Sequence, residues 1–429
     1  MPTPVSFDLS RGFRLSDALA NVAIGFALAL CAVASQAQPI RVGLIGPFSG
    51  GSSDFGNSTR FGAELAVKEI NEVGGYLGRP FELVVRDDEA KPDVGLKVSQ
   101  DLVLKQKVDF TIGFCNTGVA MKSLPVFQEN KHVLMVACSQ GTALTTKYKA
   151  ADSYIFRIAP PDLLNAQFLI AEIVDRRKLK RVAIFADRTG YGEGGLNDLR
   201  AELAKRGLEP VYVARFPLGV KSLVQEMQAA KAADADAIVA YTVGPEEAVA
   251  VKGRMAVGLR IPFFAPWPLS FRSVKAMAGP AALEGTMMVQ TIIQDTYNER
   301  RALFLARYFK YSNDRPIGSL MAAAQTYDAV HLMLWAVLQT KGDTSSAALK
   351  AALENLQRPY RGVVTNYRRP FTTTDHDAIA LNMLWLGVWK GGELAYFYPE
   401  DAKLAGFTRL KVTPTTAAPT LSEDDPRGQ

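Results

Sequence analysis

Histidine and cysteine are both scarce, three of each in 429 residues, and their scarcity removes several kinds of chemistry at the outset. His132, His331 and His376 lie far apart with no second metal-type residue at ligand spacing. No metal site is expected, and core or surface positions account for all three histidines. Cysteines at 31, 115 and 138 are too few for a disulfide-built scaffold. Nucleotide loops are missing as well. The run Gly43-Leu44-Ile45-Gly46-Pro47-Phe48-Ser49-Gly50-Gly51 follows an apolar stretch but lacks the dinucleotide spacing, and neither a Walker Lys-Ser/Thr pair nor a Gly-x-Ser-x-Gly elbow occurs. Its glycines read instead as backbone that admits close approach. The formal charge of +6 is scattered, with only short clusters at Arg176-Arg177-Lys178 and Arg368-Arg369. Such clusters are solvated faces, and nucleic-acid binding is not expected. Asp87-Asp88-Glu89 follows a strand and offers an acid pair, but reads rather as a solvated or capping cluster at the head of the helix from Asp93. No nucleophile–base arrangement stands out, so no catalytic residue and no cofactor are expected.

The ends of the chain carry a different kind of information. Arg11 and Arg14 precede an apolar run from Val22 to Val33, and small residues then lead to Ser35-Gln36-Ala37. That order predicts a secretory signal peptide over residues 1–37, cleaved after Ala37. Lipidation at Cys31 is disfavoured because Leu30, a bulky residue, immediately precedes it. No later run reaches the ~20 apolar residues a membrane helix needs. Residues 411–429 are rich in Thr, Pro and Ala and then acidic, with nothing to bury, which predicts a disordered tail.

Between the ends, short β-branched runs alternate with amphipathic stretches, the pattern of parallel sheets flanked by helices. Strands are expected at Arg41–Ile45, Phe81–Val85, Val108–Ile112 and Val133–Ala137, apolar nearly throughout as doubly buried strands are. Helices fall between them around Arg60–Val73, Asp93–Lys105 and Ala120–Asn130. The pattern restarts after Ile155-Phe156-Arg157-Ile158 with strands at Val182–Ala186, Pro210–Ala214, Ala237–Tyr241 and Phe263-Phe264. Past Met287 the text is helical, at Glu299–Lys310, Leu320–Thr340 and Ala347–Leu356, before closing strands near Leu381–Trp389. The fold class expected is therefore α/β, two Rossmann-like lobes with parallel central sheets joined by a three-segment hinge. One lobe comprises 38–158 plus 288–364 and the other 159–287 plus 365–410, with crossings near Ile158, Val289 and Gly362–Thr365. Several parallel connections make a hinge rather than a tether.

The stretch Gly46-Pro47-Phe48-Ser49-Gly50, then Phe55-Gly56, Gly62-Ala63-Glu64-Leu65-Ala66-Val67-Lys68-Glu69-Ile70-Asn71 and Gly74-Gly75, resembles the start of type I periplasmic binding proteins of the leucine/isoleucine/valine-binding kind. The likeness continues through Asp87-Asp88, Ile112-Gly113, Tyr191-Gly192-Glu193-Gly194 and Pro245-Glu246, from about Ile40 to Phe397. The resemblance implies a monomeric, non-enzymatic periplasmic protein that captures a small molecule by lobe closure and delivers it to the permease of an ABC transporter. It implies a site as well. Asn116, Thr117 and Gly118 match the loop that holds the ligand carboxylate, and Ser139, Gln140, Gly141 and Thr142 match a second such loop, although helix caps would draw on the same donors. Phe55 and Tyr191 match aromatic plates from opposite lobes, and Val243 and Trp267 complete the set. Trp267 stands where the family has an acidic residue for the ligand's ammonium. Either Asp162, Glu246 or Glu247 replaces that acid and an amino acid is bound, or the pocket takes an aromatic or 2-oxo acid; a role as an amino-acid or amide sensor is the other reading. The family's common disulfide partner near Asp87-Asp88 is absent, with Ala90 about there, and Cys115 and Cys138 either pair or remain buried thiols.

Overall fold

The computed structural model describes residues 38–294, 298–405 and 410–412. The expected signal segment, and residues 413–429 of the expected tail, lie outside the described residues. In the first half the strands are β1 (Ile40–Gly46), β2 (Phe81–Asp87), β3 (Phe110–Gly113), β4 (Leu134–Val136) and β5 (Ile155–Arg157), all parallel in the order β2-β1-β3-β4-β5. The second half contributes β6 (Val182–Asp187), β7 (Tyr212–Phe216), β8 (Ala237–Tyr241), β9 (Phe263–Ala265) and β10 (Met287–Gln290). A short hairpin, β11 (Tyr360–Arg361) and β12 (Asn366–Tyr367), precedes β13 (Trp385–Lys390) and β14 (Glu393–Tyr396). The larger sheet runs β14-β13-β10-β9-β8-β6-β7, parallel except where β13 pairs antiparallel with β10 and β14. Two lobes of similar build result. In each, the strand order reverses direction at one place, between β1 and β3 and between β6 and β8, and such switch points open crevices beyond the carboxyl ends of the strands.

The strands form where the apolar runs stand because parallel strands here are covered on both faces: β6 and β8 are buried at every position. The first lobe is closed by the helices Ser53–Glu72 and Leu320–Gln339 lying against one another. Gly62 permits that approach, since a Cβ there would lie 2.3 Å from the carbonyl oxygen of Ala323. The helix Leu320–Gln339 is apolar on nearly all sides because it is buried within the lobe, and no described helix is long and apolar enough to cross a membrane.

Several details differ from the sequence reading, among them the closing strands, expected near Leu381–Trp389 and found at Trp385–Lys390 and Glu393–Tyr396 after a 3-10 turn at Leu381–Met383. The edge strand β7 starts at Tyr212 rather than Pro210, whose missing N–H cannot join a ladder. A helix at Asp162–Ile170, continued by a π turn at Ala171–Arg176, was not anticipated; its nearly continuous apolar character leaves no clear helical stripe to read. Met287–Gln290 lies wholly in the larger sheet, so the chain leaves the second lobe after Gln290. The turn Gly362–Thr365 belongs to the β11–β12 hairpin, held to the first lobe by Asp328, which accepts from the backbone N–H groups of Val363 (2.7 Å) and Val364 (2.8 Å). The chain re-enters the larger sheet only at β13. On the way Asp377 bridges to Arg157 at the end of β5, so two of the three connections touch.

Candidate functional site

The two switch points face each other across the junction of the lobes and line a narrow cavity. From the first lobe come Phe55, Cys115, Asn116, Thr117 and Gln140; from the second come Tyr191, Val243, Trp267, Pro268 and Phe271. Contacts between the lobes surround it. On one side the Ser273 N–H donates to Asp54 Oδ2 (2.9 Å) and the Arg272 N–H to the Gly318 carbonyl (3.0 Å). On the other side Thr142 Oγ1 donates to Asp198 Oδ2 (2.6 Å), and the backbones of Gly118 and Gly190 meet so closely that a Cβ at 190 would lie 3.2 Å from the Gly118 Cα. The cleft is closed.

Local structure explains how each wall is aimed. Phe55 sits in the first turn of the helix Ser53–Glu72, which folds back onto the loop after β1; Gly56 is required there, because a Cβ would stand 1.9 Å from the Pro47 carbonyl oxygen. Asn116 is the N-cap of the helix Thr117–Glu129 but does not cap with its side chain; its Nδ2 reaches Ser52 Oγ at 3.4 Å and its Oδ1 has no partner. A helix start without a side-chain cap presents backbone N–H groups and partial positive charge to the crevice, which suits an anion. In the other lobe Thr189 caps the helix Gly190–Ala204 by accepting from the Tyr191 and Gly192 N–H groups, and Asp187 accepts in turn from Thr189 Oγ1 at 2.5 Å. The Tyr191 ring is thereby held 4.9 Å from the Tyr241 ring, with its hydroxyl buried and unpartnered.

Of the residues named from sequence, Phe55, Asn116, Thr117, Gln140, Tyr191, Val243 and Trp267 come together at this cavity. Gly118, Ser139, Gly141 and Thr142 do not line it. Gly118 makes the inter-lobe contact with Gly190, and Gly141 lies where a Cβ would be 2.2 Å from Thr117 Cγ2. The Ser139 hydroxyl is 3.1 Å from Thr117 Oγ1, and Thr142 Oγ1 also accepts from the Leu163 N–H. Hydroxyls expected to face a ligand are thus spent inside the wall and across the cleft. Sequence reasoning missed Cys115, Pro268 and Phe271. Cys115 directly precedes Asn116 and follows the same strand, a signal that was present; Phe271 packs 5.1 Å from Trp267 and 5.2 Å from Phe55, ring to ring, which only the assembled lobes bring about.

No charged side chain is among the lining residues. The acids considered as substitutes for the missing counter-ion are engaged or lie outside the lining. Glu246 accepts from the Gly219 N–H at 2.7 Å. Asp162 Oδ1 accepts from Tyr241 Oη at 2.6 Å and from Asn165 Nδ2, and burial pushes its carboxyl up to about 7 against the opposing pull of these bonds and of Arg157. Glu247 is fully buried with neither oxygen partnered; burial, and then the neighbouring Asp187 charge, push its carboxyl well above the usual carboxylate range. Three polar atoms in the lining residues are buried without partners: Asn116 Oδ1, Gln140 Nε2 and the Tyr191 hydroxyl. Buried polar groups are ordinarily hydrogen-bonded, and this trio offers one acceptor, one donor and one group of either kind. Phe55, Trp267 and Phe271 form the apolar wall, with Phe55 and Trp267 edge-on at 6.1 Å.

The histidines stand apart from the cavity lining. His132 is paired with Thr111 Oγ1 (3.0 Å) and lowered by burial to about 4, while His331 and His376 make bonds to the backbone oxygens of Tyr327 and Ile155. Among the described residues no group of three His, Cys, Asp or Glu is gathered as a metal ion requires. Asp87 and Asp88 serve the turn beside the first loop, accepting from the N–H groups of Phe48, Glu89 and Ala90.

Residues 39–393 match the family model described as periplasmic binding protein. The Leu/Ile/Val-binding protein homolog 3 of Brucella melitensis is 29% identical over 224 residues, 52% of this chain and 58% of that protein, so the match spans little more than half of that relative. The leucine-, isoleucine-, valine-, threonine- and alanine-binding protein of Pseudomonas aeruginosa is 25% identical over 74% of this chain and 82% of its own length. Among solved structures, an ABC transporter solute-binding protein of R. palustris in complex with benzoate superposes with a TM-score of 0.71 at 21% identity, covering 84% of this chain and 95% of that one; at that identity the likeness speaks to the fold.

Proposed function

This chain belongs to the periplasmic binding protein family, and from that premise we propose that it is the substrate-binding component of an ABC importer, capturing a branched-chain amino acid or a related small carboxylate by cleft closure. The observation that carries this reading is the set of unpartnered buried atoms, Asn116 Oδ1, Gln140 Nε2 and Tyr191 Oη, drawn from both lobes to one cavity. A carboxylate accepting from Gln140 and Tyr191, beside the uncapped helix start at Thr117, satisfies donors that closure otherwise leaves stranded. Because those groups come from opposite lobes, such a ligand interacts more strongly with the closed form than the open one, and differential affinity is what shifts a two-state equilibrium. The closed shape is then what a permease partner reads. The protein acts as a monomer in the periplasm after removal of its signal peptide at about Ala37, and performs no catalysis.

A second reading of the ligand is favoured by a particular observation. The lining holds no acid, and Trp267 occupies the place expected for one. A desolvated ammonium without a carboxylate costs on the order of several kcal/mol, whereas the Phe55–Trp267–Phe271 wall suits a flat apolar body. An aromatic or 2-oxo acid, which lacks the amine, avoids that cost. Thermal-shift measurements with leucine, isoleucine and valine against benzoate and 4-methyl-2-oxopentanoate separate the two, since a ligand that binds only the native state must raise the melting temperature. A rise with the amino acids selects the first reading and a rise with the amine-free acids the second; no rise with any of the five sinks both.

A further inference from the structure

Cys115 lines the cavity and Cys138 is buried in the same core, and the ligand reading gives neither thiol a task. In the pairing of β3 with β4, Gly113 stands opposite Val136, and the ladder continues beyond both strands through Ala137 N–H to Gly113 O (3.1 Å) and Ser139 N–H to Phe114 O (2.8 Å). The second of these bonds shows the pairing slipping by one residue past the strand ends, which keeps the segment of Cys115 alongside that of Cys138. Both side chains enter the same apolar core, near enough for each thiol to bear on the other's ionisation, and the Cys115 thiol is 3.4 Å from Thr59 Oγ1. Both are free thiols in this structure. Neighbouring strands are about 4.8 Å apart, inside the range of Cα separations that a disulfide spans. Cys115 is also part of the cavity wall, and each cysteine is followed at once by a ligand loop, Asn116–Thr117 on one side and Ser139–Gln140 on the other.

We propose that Cys115 and Cys138 are a reversible disulfide site that joins the two ligand loops and weakens ligand capture when oxidised. Export, which the family implies, puts the chain where disulfides form and persist. The reaction is thiol–disulfide exchange with a disulfide oxidant. Opening of the lobes bares Cys115, whose thiolate attacks one sulfur of the oxidant and expels the other as thiolate. The Cys138 thiolate then displaces the second sulfur, leaving the Cys115–Cys138 bond, and the two protons given up by the cysteines pass to the two expelled thiolates, so that the oxidant ends as two thiols. Burial in the closed cleft holds the Cys115 thiol well above its ordinary range, so a bound ligand that keeps the cleft shut slows the first step. Forming the bond draws the loops together and moves Asn116 and Gln140 away from the geometry their free polar atoms define; displacements of about 1 Å are enough to spoil such a site.

The test treats the mature protein with oxidised glutathione, blocks free thiols with iodoacetamide under denaturing conditions, and maps the peptides by mass. A Cys115–Cys138 cross-link that dithiothreitol reverses, and that is absent from Cys115→Ser and Cys138→Ser, is the expected result. Recovery of both cysteines alkylated, with no cross-linked peptide, overturns the proposal. Titration calorimetry with isoleucine and benzoate supplies the second arm, which rests on the ligand reading above. Whichever binds the reduced protein is expected to bind the oxidised form on the order of tenfold more weakly, and equal affinities overturn the switch. If neither probe binds the reduced form, the titrations are run with leucine, valine and 4-methyl-2-oxopentanoate; silence of all five sinks the ligand reading and the switch with it, while the cross-link still decides the thiol pair.

Discussion

Gln140 shows how one side chain serves both lobe and ligand. Its Oε1 accepts from Asn165 Nδ2 at 2.9 Å, its carbonyl accepts from Arg157 and from the Asp162 N–H, and its Nε2 alone is left over. Gln140→Ala is therefore expected to weaken ligand binding by about tenfold, the worth of roughly 1.4 kcal/mol for a hydrogen bond lost in a dry site, with little change in fold; unaltered calorimetric affinity removes Gln140 from the site. Ser139→Ala acts only through its partner Thr117 and is expected to have the smaller effect. Asp162 makes a prediction about pH. Its folded pKa, raised to about 7 from an ordinary 3.8 by burial, means that the native state keeps a proton that the unfolded chain releases. The associated stability is complete below the unfolded value and is lost as pH rises toward 7. Asp162→Asn cannot ionise, so its melting temperature relative to the parent should climb between about pH 4 and about pH 8, by an amount worth at most a few kcal/mol. A difference that stays flat with pH refutes the assignment.

At the scale of elements, close packing and the hinge define what the chain tolerates. The helices Ser53–Glu72 and Leu320–Gln339 meet at Gly62, with 2.3 Å between an added Cβ and the Ala323 oxygen, and neither atom belongs to a flexible tip. Gly62→Ala should cost about 1–3 kcal/mol, read as a lowered urea midpoint; a midpoint equal to the parent's shows that the helices can part without penalty. Arg157 is more exacting. Fully buried at the end of β5, it donates through Nη1 to the Gln140 and Gly141 carbonyls (2.9 and 2.7 Å), through Nη2 to Thr145 Oγ1, and through Nε to Asp377 Oδ1 at 2.7 Å. One side chain thus fastens a cavity loop to another connection between the lobes. Arg157→Met takes the cation from Asp377, which keeps Thr145 Oγ1, and one of two donors from each carbonyl, the Gln140 oxygen keeping the Asp162 N–H and the Gly141 oxygen the Leu144 N–H, and is expected to cost about 1–3 kcal/mol; chemical denaturation that shows less than 1 kcal/mol, about the worth of a surface pair, contradicts this role.

For the molecule as a whole, the proposed function rests on closure of two lobes, and at one point of their junction backbone meets backbone. Gly118 and Gly190 provide that point, and a side chain at 190 acts as a wedge in the closed form alone. Gly190→Val should leave the unliganded melting temperature near that of the parent while reducing affinity on the order of tenfold, since the cost falls on the state the ligand must select. Small-angle scattering should show less ligand-induced compaction in the variant, and full compaction at parental affinity would falsify closure through this contact.

The order of strands and helices was legible because doubly covered strands and their flanking helices each write a pattern of their own into the chain: β8 runs Ala237–Tyr241 as read, and β1, β2 and β6 differ only by a residue or two at their ends. The helix from Asp162 escaped because its apolar positions nearly surround it, and the hairpin at Gly362–Thr365 because the turn is held from afar by Asp328. At the candidate site, the sequence by itself determined, through its resemblance to the family, which loops to expect, the aromatic pair Phe55 and Tyr191, and the want of an acid at Trp267. Which loop atoms face the cavity was decided only by tertiary structure. Ser139, Gln140, Gly141 and Thr142 are neighbours in the chain, yet one presents a free amide to the cavity, two brace the wall and one reaches Asp198 in the other lobe. Local sequence sets what hydrogen bonds a side chain is able to make; the packing of two lobes around a closed cleft sets which of them remain unmade.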